Sequence, residues 1–147
     1  MSLQNISLSL SVRAPIEQVF EVFADHNQFA KLFGGHSVRI KSGEQDENGV
    51  GSMRAIGPWP LTFQEKVLAY EENKLIDYAV CKGSPLKDHL GQIRFTQDKE
   101  LVKIDYEMQF RSKIPFLGGL FKRVLGKALE TNANKILLGL QENYSVA

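Results

Sequence analysis

The chain is expected to fold as an α+β protein, a curved antiparallel sheet closed by a long C-terminal helix. Three observations predict it. From Leu61 to Arg111 nearly every second residue is apolar, through four segments joined by short polar linkers. A helical stripe of apolar residues follows at once, from Leu117 to Tyr144. A strictly alternating segment, Asn5 to Arg13, opens the chain. A period of two marks strands with one wet and one apolar face, and a period of 3.6 marks a helix. A sheet-and-helix shell of this kind tends to enclose a pocket.

In the first strand Ile6, Leu8, Leu10 and Val12 share one face, and Ser7, Ser9, Ser11 and Arg13 the other. Ala14-Pro15 then punctuates, since proline suits the first turn of a helix, where its missing N–H has no partner to lose. Ile16, Val19, Phe20 and Phe23 follow at helical spacing. A second short helix is expected from Asn27 to Phe33, capped by Asp25 or Asn27 and ended by Gly34-Gly35.

Ser37 to Ser42 is a strand, Asp46-Glu47-Asn48-Gly49 a hairpin turn, and Gly51 to Ile56 the returning strand. Gly57-Pro58-Trp59-Pro60 breaks it. Leu61–Tyr70, Leu75–Cys81, Asp88–Gln97 and Leu101–Arg111 bring the sheet to seven strands. Their short connections make neighbours antiparallel. In the closing helix Leu117, Phe121, Val124, Leu125, Ala128, Leu129, Asn132, Ile136 and Leu140 trace one stripe. No repeat or linker interrupts the chain, so residues 1–147 are expected to form a single domain.

The short turns set a register. Centring the last hairpin on Gln97–Glu100 puts Phe95 opposite Val102, Ile93 opposite Ile104, Gly91 opposite Tyr106 and His89 opposite Met108. Carried back, Val80 falls near His89, Tyr78 near Gly91, Glu65 near Val80 and Val67 near Tyr78. Phe63, Val67, Ala69, Ile76, Val80, Ile93, Phe95, Val102, Ile104, Met108 and Phe110 then face inward, and a one-residue slip would invert them all. Glu65, Tyr78, His89 and Tyr106 share that apolar face. Glu65 and His89 lie two strands apart, about 10 Å, close enough for both side chains to flank a ligand. A buried carboxylate needs a partner, water or a raised pKa. Arg54 is the natural partner, but the Asn48-Gly49 turn favours Met53 and Ala55 inward and Arg54 outward.

A formal net charge of +1 supplies no basic field for nucleic acid. The one cysteine, Cys81, cannot form an internal disulfide, which fits a cytoplasmic setting. Met1 to Val12 lacks the continuous apolar core of a signal peptide, and no segment is long enough to span a bilayer. There is no Gly-rich phosphate loop, nucleophile elbow, HExxH or CxxC, and His26 and His36 lack metal spacing, so neither cofactor nor metal is expected.

Several stretches carry a family likeness. Val12-Arg13-Ala14-Pro15-Ile16-Glu17-Gln18-Val19-Phe20 is similar to the strand, Ala-Pro, helix opening of the START-like (SRPBCC) superfamily, which includes the birch pollen allergen family. Asp25 and Phe29 fit its next turn, and Gly49-Val50-Gly51-Ser52 its Gly-rich entry to the third strand. The chain most resembles the polyketide cyclase/dehydrase and lipid transport branch. Ile114-Pro115-Phe116-Leu117-Gly118-Gly119 resembles the junction before the last helix in the carbon monoxide dehydrogenase G subgroup. The resemblance implies a helix-grip fold with a cavity between sheet and C-terminal helix, used for hydrophobic or amphipathic small molecules.

The first functional expectation is binding, transport or sensing of an apolar small molecule or lipid. Trp59, Phe63, Tyr78, His89, Tyr106, Met108 and Phe110 are the expected lining, with Glu65 orienting a polar end. The second is a cyclase/dehydrase-type enzyme in which Glu65 or His89 moves a proton. The third is a non-catalytic accessory or membrane-associated factor, acting as a monomer or weak homodimer. Ser112 to Phe121 is apolar beside Lys113, Lys122 and Arg123. It reads either as a lid with transient membrane contact or as a staple of Phe116 and Leu117 onto the sheet.

Overall fold

The computed structural model describes residues 2–57 and 63–146. In chain order the elements are β1 (Gln4–Val12), α1 (Ile16–Ala24), a short 3-10 helix (Phe29–Phe33), β2 (His36–Lys41), β3 (Met53–Gly57), β4 (Phe63–Glu71), β5 (Leu75–Lys82), β6 (Leu86–Asp98), β7 (Leu101–Ser112) and α2 (Gly118–Val146). The seven strands form one antiparallel sheet in the order β1-β7-β6-β5-β4-β3-β2. This is the helix-grip arrangement. β1 pairs with the last strand, so α1 and the 3-10 helix carry the chain from one edge of the sheet to the other.

Each element follows from local chemistry. Pro15 stands just before α1, and its carbonyl accepts the N–H groups of Gln18 and Val19 at 3.1 Å. Val19, Phe20, Phe23 and Ala24 bury one face of that helix. The 3-10 helix closes on Gly34, whose φ of 78° is the left-handed conformation glycine accepts without steric cost. Neither Asp25 nor Asn27 caps it, contrary to the sequence expectation. The Asp25 carboxylate instead takes the Asn27 N–H at 2.8 Å, and Asn27 Oδ1 takes the Arg39 N–H.

The inner face is divided into two halves. Towards α1 it is solid. Phe20 and Phe95 meet edge-to-face at 5.0 Å and Phe23 and Phe95 at 5.5 Å, above Ile76, Ile93, Val102 and Ile104. The α2 residues Leu129, Ala133 and Leu137 close this half, and Asn132 Nδ2 donates to the Leu32 carbonyl at 3.2 Å. The outer face carries hydrogen-bonded polar pairs, among them Ser9–Asp105 at 2.8 Å and Arg94–Asp77 at 2.6 Å.

The register differs from the sequence expectation in three places. β6 and β7 pair Phe95 with Ile104, Ile93 with Tyr106 and Gly91 with Met108, two residues along from the expected set. The turn is centred on Lys99–Glu100, with Lys99 at a φ of 57°. A shift of two keeps every side chain on its face. A bulge in β4 between Val67 and Ala69 puts Tyr70, not Ala69, against the core, where its ring meets Phe20 at 5.4 Å. The third difference concerns Arg54. β2 and β3 are joined by residues 42–52 rather than a tight hairpin, and β2 is irregular between Arg39 and Lys41. Parity carried from the Asn48-Gly49 turn is therefore inverted. Arg54 faces inward with Ile56, and Arg54 is only 1% exposed.

The Ser112–Phe121 segment does not staple Phe116 onto the sheet. That ring is fully exposed, on a backbone with a φ of 68°.

Candidate functional site

The other half of the inner face is hollow. A cavity of about 240 Å³ lies where five strands, β3 to β7, meet the 3-10 helix and α2. Ala30, Phe33, Gly34 and Gly35 form one wall, and Ile56, Gly57, Phe63 and Glu65 come from β3 and β4. Tyr78 and Val80 from β5, Leu86 and His89 from β6, Met108 and Leu125 complete it. Most of this wall is apolar, with Glu65, Tyr78 and His89 as its polar residues.

Gly91 explains how Tyr78 reaches its place. The two are cross-strand partners, and the Tyr78 ring lies across the backbone of Gly91. A Cβ there would stand 2.3 Å from two ring carbons. The Tyr78 and Tyr106 hydroxyls hydrogen-bond to each other. Burial pushes both phenols above their ordinary range.

Behind the wall is a buried polar chain. Arg54 Nη2 meets Glu65 Oε2 at 3.4 Å, and Arg54 Nη1 meets His26 Nδ1 at 3.0 Å. His26 Nε2 lies 2.6 Å from Ser52 Oγ, which donates to the Gly49 carbonyl. The Ser52 O–H is directed at that carbonyl, so its oxygen accepts from His26 Nε2–H. Nδ1 is then the bare nitrogen that accepts from Arg54. The imidazole is thus neutral, and burial, with the Arg54 charge beside it, lowers its pKa to about 3. The guanidinium carbon lies 3.4 Å from the centroid of the Phe29 ring and 4.9 Å from that of Tyr78. Among the described residues Arg54 Nε has no hydrogen-bond partner.

Glu65 is 4% exposed. Burial raises its pKa, and the Arg54 charge and hydrogen bond oppose that rise. His89 Nδ1 accepts the Val80 N–H at 3.3 Å. Burial and the Arg54 charge lower the His89 pKa to about 4, so the ring is neutral near pH 7 and carries its proton on Nε2. The cavity therefore offers a carboxylate acceptor and an imidazole N–H donor among apolar side chains.

Of the residues singled out from sequence, Phe63, Glu65, Tyr78, His89 and Met108 come together on this wall. Tyr106 and Phe110 are buried but do not line it. The two-residue shift of β7 places Met108 opposite Gly91 and moves Tyr106 deeper, opposite Ile93. Phe110 pairs with Gln4 of β1, past the β6 irregularity between Lys87 and Leu90. Trp59 lies outside the described residues. Arg54, His26 and Ser52 were missed. For Arg54 a signal existed, because it pairs with Glu65 and cross-strand partners share a face. For His26 and Ser52, both outside the regular elements, no periodicity gives one. Among the described residues no group of three or more His, Cys, Asp or Glu could hold a metal.

The family model described as polyketide cyclase / dehydrase and lipid transport matches residues 4–144. No curated protein matches the chain. Among solved structures, a START superfamily protein from Mycobacterium smegmatis superposes with a TM-score of 0.75 at 15% identity, covering 95% of this chain and 97% of that one. A protein from Nitrosospira multiformis gives 0.67 at 15% identity, with 91% and 96% covered. Norcoclaurine synthase from Thalictrum flavum gives 0.64 at 16% identity, with 93% and 87% covered. At these identities the likeness shows the fold.

Proposed function

Because the chain belongs to the polyketide cyclase/dehydrase and lipid transport family, a START-like ligand-binding fold, we propose that it binds a small, uncharged, hydroxyl-bearing apolar molecule in the cavity around Glu65 and His89. The observation that carries this reading is the placing of one carboxylate and one neutral imidazole on the largely apolar wall of a cavity of about 240 Å³. That volume is just below the usual range for drug-sized ligands, roughly 300–1,000 Å³. It suits a single substituted ring better than a long acyl chain.

The charges argue against an anionic head. A buried guanidinium without a counter-ion costs several kcal/mol. Glu65 is therefore read as ionised while Arg54 is present. Arg54 sits behind the wall over Phe29, so the face turned to the ligand is the carboxylate. A ligand hydroxyl donates to Glu65 and accepts from His89 Nε2–H. A ligand carboxylate meets a like charge in a low-dielectric site, which costs of order kcal/mol. One structure of Thalictrum flavum norcoclaurine synthase is a complex with dopamine and hydroxybenzaldehyde, both small hydroxylated rings, on the same fold.

The test is a calorimetric titration with 4-ethylphenol and with 4-ethylbenzoate, which share a ring and tail and differ in head. The reading expects saturable one-to-one binding of the phenol, at least about tenfold tighter than the benzoate. Val80→Phe, which fills the cavity, should abolish it. Equal binding of both compounds, or phenol binding untouched by Val80→Phe, overturns it.

A second reading is favoured by one observation. Two titratable groups with pKa values pushed in opposite directions, Glu65 up and His89 down, share one cavity. Such pairs mark acid–base sites. If Glu65 acts as a base, the protein should exchange the α-protons of a small ketone with solvent deuterium, and Glu65→Gln should not. Pure binding predicts no exchange in either.

A further inference from the structure

The surface between β7 and the middle of α2 combines unpaired cations with exposed apolar side chains. Residues 113–129 contain four cations, Lys113, Lys122, Arg123 and Lys127, and no acid, in a chain whose net charge is only +1. None of the four makes an ion pair among the described residues. The same stretch exposes four large apolar side chains. Ile114 is 45% exposed, Leu120 51%, Val124 57%, and Phe116 fully. Within α2, Leu120 and Val124 are one turn apart, and so are Arg123 and Lys127. At 100° per residue these two pairs form adjoining rows on the face opposite buried Leu129. Ile114 and Phe116, with Lys113, extend the patch just ahead of the helix.

Nothing inside the protein requires this arrangement. Phe116 covers no core surface, and its positive φ is one that bulky residues rarely adopt. Exposed apolar residues gathered into a patch mark an interaction site, whereas single ones do not. The partner must accept both apolar side chains and unpaired cations. An anionic bilayer surface does so, since its headgroups attract the basic side chains and its interface admits shallow apolar ones.

We propose that the segment from Ile114 to Lys127 is a peripheral docking surface for anionic membranes, with Phe116 as the apolar anchor and Lys113, Arg123 and Lys127 as the electrostatic contacts. This stands independently of what the cavity binds. Leu125 lines the cavity one residue beyond Val124, so a docked protein holds that end of its cavity close to the lipid surface.

The test is co-sedimentation with vesicles of phosphatidylcholine alone and of equimolar phosphatidylcholine and phosphatidylglycerol, in low and high salt. Binding is expected to the anionic vesicles only and to weaken as salt screens the charges. Phe116→Ser should lower affinity roughly tenfold, the loss expected from one buried aromatic ring. Arg123→Glu with Lys127→Glu should abolish binding. All these side chains are exposed, so the melting temperatures of the variants should match the parent, and this is measured alongside. Binding that ignores lipid charge, no binding to either vesicle, or binding unchanged in Phe116→Ser overturns the proposal. So does binding to polyglutamate as tight as to anionic vesicles and independent of Phe116, which marks an acidic protein as partner.

Discussion

Replacing Gly91 with alanine tests the packing that shapes the cavity. Gly91 has no positive φ, so alanine suits its backbone. Without other effects the change should stabilise by about 0.4–1 kcal/mol through the unfolded chain. The Tyr78 ring reverses the sign. A Cβ at Gly91 would lie 2.3 Å from Tyr78 Cε1 and Cζ and 2.7 Å from its hydroxyl, where ordinary contacts begin at 3.4 Å. The ring must move by more than an ångström. It is held by Phe29 at 5.1 Å, His89 at 5.4 Å and Arg54 at 4.9 Å. Overpacking of this kind costs about 1–3 kcal/mol. Losing the Tyr78–Tyr106 hydrogen bond costs about 1–3 kcal/mol more, because both hydroxyls stay buried. The net expectation is a loss of about 3 kcal/mol. With a urea m-value of roughly 2 kcal/mol/M for a chain this size, the midpoint should fall by about 1.5 M. Tyr78→Val in the same chain frees the space, so the double variant should lose less than the two single losses combined. A Gly91→Ala midpoint at or above that of the parent refutes the placement of the Tyr78 ring over β6.

Arg54→Leu should cost about 3–5 kcal/mol in urea unfolding, since it leaves Glu65 buried without a counter-ion, whereas Arg54→Leu with Glu65→Leu should recover much of that loss; equal losses in both would show that the pair is not coupled. Acid should destabilise the fold through His26. Its pKa is about 3 folded and 6.5 in the reference state, so between these values the unfolded chain binds more protons and stability falls as pH falls. His89, at about 4, adds to the same trend. Glu65, raised by burial, opposes it above the reference value of 4.5. His26→Gln, which can still accept from Arg54 and donate to Ser52, should reduce the slope of stability against pH by up to about 1.4 kcal/mol per unit in that window; an unchanged slope means His26 is not the buried neutral group described. Glu65→Gln should fold and should narrow the preference for 4-ethylphenol over 4-ethylbenzoate in calorimetry, and a preference left intact would remove Glu65 from the head-group contact.

The sheet was legible because its alternation repeats over four strands, so the faces of Val67, Ile76, Ile93 and Ile104 support one another. The pairings Glu65–Val80 and Tyr78–Gly91 follow from that repetition and match the structure. Errors entered where one turn had to carry the register. The β6–β7 hairpin is displaced by two, which is harmless for faces. The 42–52 connection is not a tight hairpin, and that sent Arg54 to the wrong side. Asn48 in that connection is itself buried, accepting from the His26 N–H and from Arg39. Such bonds belong to loop geometry and leave no period. The demand that a buried Glu65 find a cation is sound, and it outweighs the turn in placing Arg54. The division of the inner face into a solid and a hollow half was not legible. It depends on how far Phe20, Phe23 and Phe95 fill the space, which alternation does not report.

The central claim is that a small hydroxylated ring occupies the space between Glu65 and His89. Methyl-resolved NMR of the protein titrated with 4-ethylphenol tests it most directly. The account predicts saturable shifts at Ile56, Val80, Leu86, Met108 and Leu125, which line the cavity, and still signals at Val102, Ile104 and Leu129 in the solid half. Shifts confined to Ile114, Leu120 and Val124 on the surface, or none at the cavity methyls, would contradict it.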